Sequence, residues 1–152
     1  MRFSYTHLSD RALQRCFLYC ALFPEDFEIH RENLIAYLID EGVVKGQKSR
    51  EAEINKGHTM LNRLENVCLL ESVHSGNFVK MHDLIRDMAI QILEENSQAI
   101  VQVDAQLKEL PDVEEWTEKL TIVSLMHNQI EEICSSHSVR CPNLSTLLLS
   151  MW

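Results

Sequence analysis

The chain has 152 residues, 45% of them hydrophobic, which suits a packed core and excludes a disordered polar tail. A formal net charge of -9 speaks against a nucleic-acid binder, whose phosphate contacts need a basic face. No run of 18 apolar residues marks a membrane span, the start MRFSYTHLSDR has no secretory h-region, and five irregularly spaced cysteines read as reduced thiols of a cytoplasmic protein.

Ser9 is placed to cap a first helix from Asp10 to about Leu22, with Ala12, Leu13, Cys16, Phe17, Tyr19, Cys20 and Phe23 as its apolar set. Pro24 closes that segment. A second helix is predicted over Arg31 to Glu41, with Leu34, Ile35, Leu38 and Ile39 on its buried stripe and Gly42 at the left-handed cap position. After a loop over Val43 to Ser49, a third helix begins near Arg50, capped by Ser49, and runs to about Asn66. Gly57 interrupts it at about 1 kcal/mol relative to Ala, a cost that a close backbone approach would explain.

Cys68-Leu-Leu-Glu-Ser72 and Asn77-Phe-Val-Lys-Met81 are strand-like, and His74-Ser-Gly-Asn77 is turn chemistry, so a hairpin is predicted. A fourth helix follows, with Leu84, Ile85, Met88, Ala89 and Ile92 on one face. Three helices, a hairpin and a further helix make a mainly α, winged-helix-like arrangement.

Beyond Glu95 the texture changes. Ala99 to Val103 is strand-like and Leu107 to Trp116 irregular. Leu120-Thr-Ile-Val-Ser-Leu125 and, 24 residues on, Leu144-Ser-Thr-Leu-Leu-Leu149 fit the leucine-rich repeat pattern LxxLxL. The first continues to Asn128, where the repeat's asparagine hydrogen-bonds backbone inside the turn. The expected fold is therefore a winged-helix-like unit, then, beyond Glu95, the first one or two units of an α/β leucine-rich-repeat solenoid.

The candidate chemistry sits at Met81-His82-Asp83, on the joint between hairpin and fourth helix. Read on residue types alone, Asp83 caps an apolar helix and His82 is a surface histidine. Arg86 and Asp87 read as solvated face or local ion pair. Cys16 and Cys20, four apart on one helix face, read as small buried hydrophobes rather than a metal pair. His127, Cys134, His137 and Cys141 do not have the spacing of a standard zinc site, so no metal is expected. No paired carboxylates, Ser-His-Asp or Cys-His set appears in a catalytic setting, and no GxxxxGK[ST] loop is present.

Four ordered stretches carry a resemblance: Cys16 to Asp26 (CFLYCALFPED), Leu34 to Gly42, Gly57 to Leu64, and Val79 to Ala89 (VKMHDLIRDMA). They resemble the plant nucleotide-binding (NB-ARC) leucine-rich-repeat immune receptors, the coiled-coil class above all. Leu38 stands where such sequences often carry Trp, and Cys134 where proline is common. The resemblance implies the regulatory switch segment of an intracellular immune receptor, with residues 1–97 as its winged-helix part and residues 98–152 as the start of its leucine-rich-repeat domain. His82 and Asp83 would be its nucleotide sensor, with His82 approaching the β-phosphate of ADP held by an upstream P-loop domain. Cofactors would be ADP and ATP, and only in the intact receptor, so the chain alone is not expected to be an enzyme. Implied partners are that P-loop domain, the downstream leucine-rich repeats and other receptor chains. Two other readings stand beside it. One is a truncated receptor-derived protein–protein interaction module without nucleotide binding. The other is a DNA-binding winged helix using Lys45, Lys48, Arg50, Lys56 and Arg63, against which Glu51, Glu53, Glu65 and the overall charge weigh.

Overall fold

The computed structural model describes residues 5, 8, 10–96, 99–101, 105, 107, 108, 110, 111, 120–130, 141 and 144–151. They fall into two compact units, one of residues 1–21 and 25–89, the other of residues 22–24 and 90–152.

In the first unit, helix α1 spans Arg11–Cys20 and buries Leu13, Cys16, Phe17, Tyr19 and Cys20. Its cap is Asp10, whose carboxylate accepts the Ala12 N–H at 2.8 Å. The expected cap, Ser9, lies outside the described residues. The helix ends at Cys20, earlier than expected, because Ala21 already takes the C-cap. Helix α2 spans Arg31–Asp40 and ends in a Schellman motif: Gly42, at φ +75°, donates to Ile39 O, and Val43 donates to Leu38 O. Helix α3 spans Arg50–Asn66, with the Ser49 hydroxyl accepting the Ala52 N–H at 3.1 Å.

Helix α3 packs against both α1 and α2. Its apolar positions Met60, Leu61 and Leu64 are buried, as are Leu34, Ile35 and Leu38 of α2. Gly57 explains itself here. A Cβ at that position would lie 2.6 Å from Ile35 Cγ2, so the close helix approach exists only without a side chain.

The hairpin is present but shorter than expected: β2 is Glu71–Val73 and β3 is Phe78–Lys80. Cys68 is not strand. It follows α3 as a left-handed cap residue at φ +62°, donating to Glu65 O while Leu69 donates to Leu64 O. A further strand, β1 at Ile29–His30, pairs antiparallel with β3, giving the order β1-β3-β2. Sequence reading misses β1 because two residues carry no periodicity. Helix α4 spans Asp83–Asn96 and buries Met88, Ala89, Ile92 and Leu93. Leu84, expected on that stripe, is 58% exposed. Leu93, at the opposite edge of the stripe, is buried instead.

Among its described residues the second unit holds three parallel strands in the order β4-β5-β6: Ala99–Val101, Ile122–Ile130 and Thr146–Met151. Leu120, Val123, Leu125 and Ile130 form its buried cluster, with Leu107, Leu110, Cys141, Leu144 and Leu149 packed against it. Asn128 is buried, and its amide is fully used. Oδ1 accepts the N–H groups of Ala105 (3.0 Å) and Leu107 (3.1 Å), and Nδ2 donates to Leu125 O (3.0 Å). Ser124 Oγ donates to Leu22 O at 2.7 Å.

Candidate functional site

Strand β3 sets up the joint. Val79 pairs with Ile29 and with Ser72, and it is fully buried; Met81, two residues on, is buried as well. Side chains alternate along a strand, so pinning Val79 and Met81 inward turns His82 outward. His82 is exposed, immediately before α4.

His82 acts as the cap of α4. Its Nδ1 accepts the Leu84 N–H at 3.2 Å and its carbonyl accepts the Arg86 N–H at 2.9 Å. This corrects the assignment of the cap to Asp83, which is the first residue of the helix. The cap has a chemical consequence. A ring nitrogen that accepts a hydrogen bond carries no proton, so the neutral imidazole keeps its proton on Nε2. Nε2–H is thus an outward donor at a helix N-terminus, where the unpaired amides and the helix dipole already favour negative charge.

Asp83 meets a carboxylate. Its side chain faces Glu25 in the loop after α1, and the proton that the two carboxyls can share, then the Asp83 charge, raises the Glu25 carboxyl above its usual range. Slight burial, Asp26 and Asp87 push the same way. Two facing carboxylates hold a proton between them more readily than either alone. Asp83 Oδ1 is buried and accepts no hydrogen bond among the described residues. Asp26, beside Glu25, sits at φ +58°, a conformation that Asp adopts more readily than most residues.

The structure therefore keeps His82 and Asp83 adjacent but gives them different surroundings, one facing solvent and one facing Glu25. Sequence reasoning missed Glu25, because a contact 58 residues away in the chain leaves no local signal. It also missed Arg31, which is buried against His58, Asn62 and Glu65. The signal for that set was readable: positions 58, 62 and 65 repeat at helical spacing and make one polar stripe on α3.

Cys16 and Cys20 are both buried, and their thiols are hydrogen-bonded to each other. That bond, followed by burial, raises the Cys20 thiol well above its usual range, which leaves it a poor nucleophile. Of the residues considered as a zinc set, Cys134, His137 and the His127 side chain lie outside the described residues. Among the described residues no helix is long and apolar enough to cross a membrane.

Residues 22–89 match the family model described as "Disease resistance protein Winged helix domain". The chain is 40% identical over 154 residues to "Disease resistance protein RPS5" of Arabidopsis thaliana, an alignment covering 98% of this chain and 17% of that protein. It is 42% identical over 153 residues to "Probable disease resistance protein At1g15890", covering 98% and 18%. It is 40% identical over 154 residues to "Disease resistance protein SUMM2", covering 98% and 17%, both from the same plant. The chain thus spans about a sixth of the length of the curated relatives it matches. Helices, winged hairpin and likeness agree: this chain carries the winged helix domain of disease resistance proteins and is similar along nearly its whole length to those of Arabidopsis thaliana.

Proposed function

We propose that this chain is the regulatory switch segment of a cytoplasmic plant immune receptor, with His82 and Asp83 sensing ADP. In this reading residues 1–97 are the winged-helix part of a nucleotide switch and residues 98–152 open a leucine-rich-repeat domain. Asn128 supports the second half, since its amide fills the backbone role that the repeat's asparagine has. The nucleotide is held by a P-loop domain elsewhere in the receptor, because this chain contains no GxxxxGK[ST] loop. The segment itself does no chemistry.

The observation that carries the reading is the division of labour on His82. Nδ1 is engaged by the helix, and the Nε2–H donor is left facing out. A donor fixed at a helix N-terminus suits a terminal phosphate of ADP. A hydrogen bond to such a charged group contributes about 1.5–3 kcal/mol, or about tenfold to a hundredfold in affinity. That contribution exists only while the segment lies against the nucleotide. ADP therefore favours the closed state by differential affinity, and its exchange for ATP releases the segment.

Asp83→Val tests the switch. It removes the contact to Glu25 and the negative charge at the first position of α4. Expressed as part of a full-length receptor in leaf tissue, the variant triggers cell death without an elicitor. Silent tissue with the variant at wild-type abundance contradicts the proposal.

A further inference from the structure

Arg31 is only 7% exposed, and a buried charge persists only when it is paired and hydrogen-bonded. Its backbone N–H donates to Asn77 O in the hairpin turn at 3.0 Å. Its guanidinium reaches across to one face of α3. Nε donates to His58 Nδ1 (2.9 Å), one Nη donates to His58 O (3.0 Å) and Asn62 Oδ1 (2.5 Å), and the other pairs with Glu65 Oε1 (2.5 Å). One side chain thus ties α2 to α3, and its own backbone ties both to the hairpin. The seam opens onto a polar cleft of about 610 Å³.

Every acceptor in this arrangement except one keeps its accepting role at any moderate pH. The exception is His58, whose Nδ1 accepts only while it carries no proton. We propose that the Arg31–His58 bond is a proton-gated clamp: a proton arriving on His58 Nδ1 removes the acceptor of Arg31 Nε and sets two positive groups face to face, loosening the seam between α2 and α3.

The surrounding groups decide where the clamp releases. His30 of β1, Arg31 and Glu32 of α2, and Glu65 of α3 are the titratable or charged groups of the cleft; the hairpin side contributes Ser72, Gly76 and Asn77. Burial lowers the His58 pKa below its ordinary 6.5, and the Arg31 charge lowers it further, while Glu32 acts against both. The folded chain therefore binds fewer protons here than the unfolded chain. The clamp's contribution to stability is complete above about pH 6.5 and is lost as pH falls through that value towards the lower folded one. The bonds of Arg31 to the His58 carbonyl, Asn62 and Glu65 do not use His58 Nδ1, so the clamp loosens the seam without expelling the arginine.

The test is a pH titration of the full 152-residue chain, ¹⁵N-labelled, following the Arg31 Nε–H signal and the His58 ring by NMR. The proposal expects the Arg31 signal to vanish with the same midpoint as His58 protonation, below 6.5. In His58→Gln the amide oxygen replaces Nδ1 as a pH-independent acceptor, and the signal persists through that range. An Arg31 signal that survives His58 protonation, or that vanishes with one midpoint in both proteins, overturns the proposal. If the variant does not fold, the wild-type titration alone decides.

Discussion

A histidine that caps a helix through Nδ1 is not free to choose its tautomer, and at His82 that restriction makes the donor. The neighbouring residue is legible in a different way. Asp83 reads from sequence as a cap, because carboxylates before apolar helices usually are. The structure gives the cap to His82 instead, since strand β3 delivers His82 to the cap position and Asp83 finds Glu25. Cys68 shows a similar local economy after α3. It stands at φ +62°, where a side chain meets the following carbonyl at about 1–2 kcal/mol. Glycine pays nothing there but has more unfolded freedom to lose, so the two effects partly cancel. Cys68→Gly should raise stability by about 0.5–1 kcal/mol, read from the midpoint of chemical denaturation. Cys68 is exposed, so no core packing is lost with the thiol.

Elements with a long hydrophobic period were the readable ones. Helices α2 and α3 appear within a residue of where their stripes, Gly42 and Ser49 place them. Strand β1 was not readable, because its two residues are strand only through pairing with β3. Leu84 was misassigned for a related reason: in the first turn of α4, the residue that completes a stripe on paper need not reach the core. Gly57 joins the two best-read helices. Alanine there gains about 1 kcal/mol of helix propensity but forces its Cβ into Ile35, which is buried, β-branched and held. Overpacking of this kind costs about 1–3 kcal/mol. Gly57→Ala should therefore lower stability by up to about 2 kcal/mol in equilibrium denaturation, where an exposed helix glycine would show the opposite sign.

At the scale of the whole molecule, the two units differ in what holds them. The first is built by helix packing around α3, and its buried charge is absorbed by a polar stripe on that same helix. The second is a parallel sheet whose buried Asn128 satisfies backbone that the strands leave unpaired. The family was legible in the sequence from the order of its motifs, and the likeness to the curated relatives agrees. The Glu25–Asp83 contact was not, because it joins residues far apart in the chain, and of the Arg31 clamp only the polar stripe on α3 was, not the arginine that α2 brings to it. In the proposed receptor the nucleotide bridges this segment to a domain that the segment does not contain, so the account turns on one donor atom. His82→Asn isolates it. Asparagine is a good N-cap and keeps α4 capped, but it is shorter than histidine and lacks Nε2–H. The measurement is the ADP bound to purified full-length receptor, wild type against His82→Asn, with its dissociation rate. The variant should hold ADP about tenfold to a hundredfold more weakly and be purified largely without it. A variant that retains one ADP per chain, with unchanged dissociation, would contradict the sensing role of His82.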